Sequence, residues 1–195
     1  MTFGEDRGNT CYFVDDMARQ ATVRQSQSNV PIRIRIVETD LKLSEHQEAV
    51  LAMVDAYSRD VMGNAKPLDP DVPARLVPAL RKHATTLIFL AFADERPSGA
   101  AVCFIGFSTF AAKPLVNIHD CIVLPEYRGK SVGRRLLEAV EAKARELGCC
   151  KLTLEVMDKN YRAVRAYKAA GFSPYTLQAE AGTAIFMSKA LHSAN

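Results

Sequence analysis

Residues 123–133 of this chain are Val123-Leu124-Pro125-Glu126-Tyr127-Arg128-Gly129-Lys130-Ser131-Val132-Gly133. This stretch lies between an apolar, strand-like run and a long amphipathic helical pattern. A turn that opens a helix presents unpaired backbone N–H groups and the positive end of the helix dipole, and both favour phosphate. Arg128, Lys130 and Arg134 crowd this turn, where cations oppose the dipole unless an anion is bound. The stretch therefore predicts a ligand with pyrophosphate or several phosphates.

Two common phosphate motifs do not account for this stretch. The tripeptide Gly129-Lys130-Ser131 matches the end of a P-loop, but a P-loop also needs a glycine where this chain has Leu124. The dinucleotide-binding pattern G-x-G-x-x-G does not occur in this turn. A different phosphate ligand is therefore indicated.

The stretch resembles the acetyl-CoA loop of the GNAT superfamily of N-acetyltransferases, whose signature is Q/R-x-x-G-x-G/A. Arg128 corresponds to the first position and Gly133 to the last, whereas Ser131 stands where the family usually has its first glycine. A second family pattern, N-x-x-A-x-x-x-Y-x-x-x-G-F, is matched by Asn160, Ala163, Tyr167, Gly171 and Phe172. The resemblance is strong over residues 115–172 and weaker over the flanking residues 32–114 and 173–191.

The resemblance implies that acetyl-CoA is the co-substrate and that a specific set of residues binds it. The strand end at Val123 is expected to bind the pantetheine arm and to direct backbone N–H groups at the reacting carbonyl oxygen. Asn160 is implied to contact the cofactor, although an asparagine before a helix also serves as an N-cap. The implied cofactor-binding residues are Cys121, Ile122, Val123, Arg128, Gly129, Lys130, Ser131, Val132, Gly133, Arg134 and Asn160.

Three residues are candidates for the acid–base steps. Tyr167 corresponds to the family's usual general acid, which protonates the departing thiolate, although it could instead be an aromatic residue that packs in the core. A base is needed because an alkylamine is mostly protonated at neutral pH. His119 and Asp120 are the nearest candidates, and as neighbours on one strand they are expected to face opposite ways. His119 is favoured by its ordinary pKa, and Asp120 could act through water.

Hydrophobic periodicity predicts the element order β-α-α-β-β-β-α-β-α-β, with a final strand at Thr183–Met187 and room for one more at Ser173–Gln178. Such an order predicts an α/β (α+β) protein with helices packed on a mixed sheet. The resemblance implies that this sheet is mostly antiparallel, as in the GNAT acyl-CoA N-acyltransferase fold, and that two of its strands splay apart for the cofactor. Ser44 and Gln47 resemble a capping box before the first helix, and Glu95–Gly99 is predicted to be a turn.

Length and composition favour one globular domain. The chain has 195 residues, of which 48% are hydrophobic, and a net charge of +3, which is too small to argue for nucleic acid. No apolar run is long enough to span a membrane, and none near Met1 has the length of a signal peptide. Its five cysteines lack a C-x-x-C pattern, so we expect no metal site and a reducing, cytoplasmic location. Residues 1–30 are predicted to be a flexible tail before a domain over residues 31–195.

The resemblance implies an N-acetyltransferase that acts on a primary amine, either a small molecule or a peptide. Residues 58–72 are expected to border the acceptor pocket, where Asp60, Asp69 and Asp71 could favour a cationic acceptor. A non-catalytic module that binds CoA for sensing or assembly is the alternative from a different class, and a longer acyl chain is also open. Homodimers are common in the family, so a homodimer is an expectation here.

Overall fold

The computed structural model describes residues 32–176, 178, 180, 182 and 184–191. The predicted tail over residues 1–30 lies outside these residues. The elements in chain order are β1 (Ile34–Glu38), α1 (Ser44–Arg59), α2 (Val72–Lys82), β2 (Thr86–Ala93), β3 (Arg96–Ser108), β4 (Lys113–Val123), a short 3-10 turn (Pro125–Tyr127), α3 (Val132–Glu146), β5 (Leu152–Leu154) and α4 (Tyr161–Ala169).

The five strands form one sheet in the order β1-β2-β3-β4-β5. The first three pairings are antiparallel, and β4 pairs with β5 in parallel. A parallel pair needs a crossover connection, and α3 supplies it. The prediction of a mixed, mostly antiparallel sheet flanked by helices is confirmed.

Helices cover both faces of the central strands. Almost all of β2 is buried, which fits a strand without a solvent-facing side. Ile88, Leu90 and Phe92 join α1 in one core cluster. On α3, the residues at helical spacing that are buried are Val132, Leu136, Leu137, Val140 and Ala144. A side chain at Gly99 of β3 would approach Val132 and Leu136 at 3.2–3.3 Å, so α3 packs directly on the sheet there.

The first helix and the first hairpin begin differently from the prediction. Helix α1 has Leu43 as its N-cap and no side-chain cap, so the capping box at Ser44 was wrong. The side chain of Gln47 instead donates to the Leu41 carbonyl at 2.9 Å. The hairpin turn is Asp94-Glu95, both with positive φ, and β3 already begins at Arg96. This two-residue turn replaces the longer turn predicted at Glu95–Gly99 because positive φ at both central positions matches the strand twist.

The predicted final strand is wrong over the residues that the structure describes. Positions 184–187 have no strand, and Ile185 and Phe186 are nearly four-fifths exposed. Positions 173–176 and 178 have no strand either, whereas Leu177 and Thr183 lie outside the described residues. A periodic segment forms a strand only where it can pair with an edge of sufficient length. The outer strand on this side, β5, has three residues and no further partner in the described part of the chain.

The gap between β4 and β5 positions the site. These strands pair only from Val116 with Leu152 to Ile118 with Leu154. Beyond Ile118, β4 continues for five residues along β3 while its other edge has no strand partner among the described residues. All three residues of β5 are paired, so the gap begins where β5 ends, and it leaves the C-terminal end of β4 without a strand partner on that side in the described part of the chain. The splay of two strands that the resemblance implied stays an expectation.

Candidate active site

The turn before α3 presents a row of free backbone donors. Gly129 (φ +77°) and Ser131 (φ +62°) are both left-handed, and Ser131 is the N-cap of α3. Within the described ranges, no protein group accepts a hydrogen bond from the amides of Gly129, Ser131, Val132, Gly133 or Arg134. Consecutive free amides at a helix N-terminus form an anion-binding concavity. The local geometry thus fits the phosphate ligand that the sequence predicted.

A cavity of about 490 Å³ opens beside this turn. Its walls are the turn itself, the end of β4, the last turn of α1 and the first two turns of α4. The predicted residues that line it are Cys121, Ile122, Val123, Arg128, Gly129, Ser131, Val132, Gly133, Arg134, Asn160 and Tyr167. Lys130, His119 and Asp120 do not line it. The structure therefore brings eleven of the fourteen predicted residues to one cavity.

The end of β4 directs one backbone donor into the gap. The Leu124 amide donates to the Ser98 carbonyl at the start of β3, at 3.0 Å. Backbone groups of a strand alternate sides, so the preceding amide of Val123 points away from β3 and into the gap. The Val123 carbonyl points the same way and accepts a hydrogen bond from Arg128 Nε at 3.0 Å.

The three cations of the turn have different partners. Arg128 donates from Nε to Val123 and from Nη2 to Asp60 Oδ2 at 2.7 Å, so its side chain is committed to protein contacts. Lys130 lies over the Tyr127 ring, with 5.6 Å between Nζ and the ring centroid. Arg134 pairs with a glutamate one turn later on α3 and lines the cavity. Arg128 and Arg134 both line the cavity, but the ion-pair partner of Arg134 is on its own helix, whereas that of Arg128 is at the end of α1.

Tyr167 is half-buried and lies beside Cys121. The two groups are close enough to shift each other's pKa, and the Tyr167 ring stacks edge-on against Phe172 with centroids 5.9 Å apart. Burial raises the pKa of Tyr167 above its ordinary value of 10.0, and the neighbouring Cys121, Tyr57 and Asp120 raise it further. Burial likewise raises the pKa of Cys121 to about 11. Both groups are therefore protonated at neutral pH.

Asn160 performs the capping role that was the alternative to cofactor contact. Its Oδ1 accepts a hydrogen bond from the Ala163 amide at 3.2 Å, which makes it the N-cap of α4. The residue also lines the cavity, so capping and ligand contact are compatible.

A β-bulge changes the expected orientation of the two candidate bases. Val102 pairs with Asp120 and Cys103 with Ile118, so His119 is an extra residue without a partner on β3. A bulge interrupts the alternation of side chains, so the prediction of strictly opposite faces does not apply here. His119 is exposed and stacks edge-on against Phe104, with 5.6 Å between centroids.

Asp120 interacts electrostatically with the candidate acid Tyr167. It is half-buried, and its charge raises the pKa values of Tyr57, Cys121 and Tyr167. Burial raises the pKa of Asp120 itself, and the neighbouring His119 opposes that rise.

Comparison with known proteins identifies the family. A model described as the acetyltransferase (GNAT) family matches residues 50–172, which is more than half of the chain. The chain belongs to this family. In the family, acetyl-CoA is the acyl donor.

Relatives and solved structures agree with the GNAT assignment. Thialysine N-epsilon-acetyltransferase from Bos taurus is 35% identical over 78 residues, which are 40% of this chain and 45% of the relative. The Caenorhabditis elegans protein of the same name is 25% identical over 129 residues, which are 63% of this chain and 74% of the relative. The chain thus spans just under half the length of the bovine relative. An aminoglycoside N-acetyltransferase solved in complex with CoA shares the fold, with a TM-score of 0.62 and 19% identity over 81% of this chain and 95% of that chain.

Several residues that line the cavity of this GNAT protein were not among the predicted site residues, and Tyr57 and Arg162 are the polar ones that bear on the chemistry. Tyr57 falls on the apolar face of α1 and was interpreted as core, but it is half-buried at the cavity wall. Its position next to the predicted acceptor segment at residues 58–72 was the available signal. Arg162 lies two residues after Asn160, on the first turn of α4, and lines the same cavity.

Two kinds of feature are absent from the described residues. In the described residues, no group of three or more histidine, cysteine, aspartate or glutamate side chains is arranged to hold a metal ion. Among the helices that the structure describes, none has the length and apolarity needed to cross a membrane.

Proposed function

We propose that this chain transfers an acetyl group from acetyl-CoA to a primary amine. The observation that carries this proposal is one juxtaposition. The free amides before α3, the inward amide of Val123 and the protonated Tyr167 all face one cavity. The free amides suit a diphosphate, and the Val123 amide suits a carbonyl oxygen that gains negative charge. The Tyr167 hydroxyl suits a thiolate that needs a proton.

The residues present fit CoA in charge as well as in shape. Arg134 and Arg162 line the cavity together with the free amides. Neither forms an ion pair with the opposite wall as Arg128 does with Asp60. Cationic side chains beside unpaired N–H groups stabilise a multiply charged anion more than either feature alone. We therefore propose that the predicted cofactor set binds CoA mainly through main-chain amides. The Arg128 side chain instead contacts Val123 and Asp60, and the Lys130 side chain lies over the Tyr127 ring.

Three steps are then assigned to groups of this chain. Acetyl-CoA supplies a thioester carbonyl and, after transfer, a thiolate leaving group. The Val123 amide donates to the carbonyl oxygen, where a preorganised donor stabilises developing charge by several kcal/mol. As the amine nitrogen bonds to the carbonyl carbon and the carbon–sulfur bond breaks, the Tyr167 hydroxyl gives its proton to the departing sulfur. A raised pKa keeps Tyr167 protonated but makes it a weak acid, so position rather than acidity accounts for its effect.

For the amine proton, we propose Asp120 rather than His119 as the group that accepts it through water. The carboxylate is half-buried next to Tyr57 and Tyr167, and burial raises its pKa, which makes it a stronger base than an ordinary aspartate. His119 is exposed and packs against Phe104 on a side that does not line the cavity.

The acceptor is proposed to be a small-molecule or peptide amine. Relatives are named for thialysine and aminoglycosides, which carry primary amines. The acidic residues that were expected to attract a cationic acceptor are all paired: Asp60 with Arg128, Asp69 with Lys66 and Asp71 with Arg75. We therefore assign no acceptor role to Asp69 and Asp71. A cytoplasmic location, the absence of nucleic-acid and membrane partners, and a homodimer remain proposals.

Two measurements test this function in order. Calorimetric titration with acetyl-CoA is expected to show saturable binding, and lack of uptake by folded protein would refute the proposal. Release of free CoA thiol is then measured with thialysine, lysine, spermidine and an aminoglycoside as separate acceptors. Thiol release that depends on an amine supports the enzyme, whereas binding without release supports the non-catalytic CoA-binding module.

A further inference from the structure

We propose that the Arg128 side chain is a strut between the two walls of the cavity and not a phosphate ligand. It joins the cofactor turn to the C-terminal end of α1, and we call this contact the Arg128–Asp60 strut. The expected effect of this contact on CoA affinity rests on the proposed function. In this role Arg128 and Asp60 are positioning residues, and they act on binding through the backbone that they hold.

The guanidinium of Arg128 makes two directed bonds. Nε donates to the Val123 carbonyl at 3.0 Å, and Nη2 donates to Asp60 Oδ2 at 2.7 Å. The side chains of Arg128 and Asp60 are 29% and 20% exposed, so this ion pair is largely shielded from solvent. A planar fork can hold two acceptors at fixed angles, which a single ammonium cannot do. The strut therefore joins β4, the turn and α1.

Asp60 is itself fixed at the end of α1. Its Oδ1 accepts from the Met62 amide at 2.8 Å, and its own amide donates to the Tyr57 carbonyl at 3.0 Å. Hydrogen bonds from Met62 and Arg128 lower the pKa of Asp60, so the carboxylate is charged at neutral pH. The strut thereby holds the segment that contains Tyr57 and Met62, which form the wall opposite the cofactor turn.

Among the described residues, two other ion pairs join distant parts of the chain, Lys143 with Glu38 and Arg35 with Glu95, but none of these four residues lines the cavity. Arg134 pairs with Glu138 one turn along α3, and Arg75 pairs with Asp71, the N-cap of its own helix, and all four of these side chains are more than half exposed. Such pairs contribute little because water screens them. The Arg128–Asp60 pair spans 68 residues of sequence, so its loss changes the spacing of two elements.

The two roles of Arg128 predict opposite effects of Asp60→Asn. If Arg128 were a phosphate ligand, removal of the nearby carboxylate would free its charge, and CoA binding would tighten. If Arg128 is a strut, the turn loosens, and CoA binding weakens by about tenfold, the usual effect of losing one charge-assisted hydrogen bond. Arg128→Lys separates the roles again, because a lysine serves phosphate as a point charge but cannot bridge Val123 and Asp60.

The experiment is a double-mutant cycle on the full chain with CoA affinity as its readout. The proteins are wild type, Arg128→Gln, Arg128→Lys, Asp60→Asn and the double variant Arg128→Gln/Asp60→Asn, with Asp71→Asn and Arg75→Gln as controls for an exposed pair. We expect each strut variant to lose about tenfold in CoA affinity, the double variant to lose no more than either single variant, and the controls to keep wild-type affinity. The same cycle is then evaluated without ligand, with the thermal unfolding temperature of each protein as the readout.

Each outcome decides between the roles. Tighter CoA binding by Asp60→Asn, or near-normal binding by Arg128→Lys when Arg128→Gln binds poorly, would overturn the strut. Losses that add in the double variant would overturn it as well. Wild-type protein that binds no CoA would instead refute the proposed function. Non-additive changes in unfolding temperature would then still support the strut, and additive ones would overturn it.

Discussion

At the scale of single residues, Ser131 shows how one substitution alters a loop without destroying it. The family places glycine at this position, and the structure shows why, because φ is +62°. A residue with a β-carbon pays roughly 1–2 kcal/mol in the left-handed region. The serine side chain does not cap α3, so its hydroxyl does not offset this cost through the helix. The free amides of the turn are nevertheless in place.

Replacing Ser131 by glycine is expected to relieve that backbone cost. Ser131→Gly should raise the free energy of unfolding by up to about 1 kcal/mol and leave CoA affinity equal or tighter. Ser131→Ala is the matched control, because it removes the hydroxyl and keeps the β-carbon, and it should leave stability unchanged. Chemical denaturation and calorimetry measure the two quantities. A large loss of CoA affinity in Ser131→Gly would contradict the alignment of this turn with the family signature.

Substitution of Tyr167 tests its proposed role as the proton donor, because the change should affect turnover and not CoA binding. Tyr167→Phe should lower turnover by about a hundredfold or more while the CoA dissociation constant stays nearly unchanged, because the ring remains and only the proton donor is lost. Tyr161→Phe is the control, since Tyr161 is exposed on the same helix and does not line the cavity. Initial rates and calorimetry test the pair. Wild-type turnover in Tyr167→Phe would remove this residue from the mechanism.

The positions that depend on backbone geometry or on the family pattern were more predictable than the directions of side chains. The free amides follow from a helix that begins at a glycine-containing turn, and the place of Tyr167 at the cavity follows from the match of residues 160–172 to the family pattern. The commitment of Arg128 to Asp60 was not predictable, because the partners are 68 residues apart and meet only in the folded chain. The bulge at His119 escaped prediction for the same reason, since a register shift belongs to a strand pair.

At the scale of elements, periodicity predicted every α-helix and strand that the structure describes, and it also predicted a C-terminal strand that the described residues do not form. Strands β2, β3 and β4 are long and apolar, and each has partners on the sheet. The predicted strand at Thr183–Met187 has similar composition, but its described residues have no partner edge. Apolar composition indicates how much surface a strand could bury, but a strand forms only where its backbone can pair with a neighbouring strand.

The cap of α4 allows a test at the element scale. Asn160→Ala should lower the free energy of unfolding by about 1 kcal/mol, because the Ala163 amide loses its acceptor. Asn160→Ser should restore most of that stability, since serine also caps helices well. If Asn160 also contacts CoA, Asn160→Ser will recover stability but not CoA affinity. Recovery of both would show that capping is its whole contribution, and a neutral Asn160→Ala would contradict the capping role.

At the scale of the whole molecule, two walls of the cavity are joined by the Arg128–Asp60 ion pair. One wall is the last turn of α1, and the other is the cofactor turn with the end of β4. The Arg128–Asp60 strut is a charged contact between these walls, so their spacing depends on the ionisation of one carboxylate. Acid should therefore loosen the cavity before it unfolds the core, which consists of apolar side chains that do not titrate.

The pH dependence of stability follows from the lowered pKa of Asp60. The folded state binds the Asp60 proton more weakly than the unfolded state, whose value is about 3.8, so the strut stabilises fully above that value. This contribution declines as the pH falls through the lower pKa of the folded state. Wild type should thus exceed Asp60→Asn in unfolding free energy at pH 7, and the difference should narrow below about pH 4. Asp69→Asn, at an exposed pair with Lys66, is the control and should differ little from wild type at either pH. Denaturant titrations across this pH range measure the difference in unfolding free energy. If the difference between wild type and Asp60→Asn stays constant with pH, Asp60 stabilises the molecule by something other than its charge.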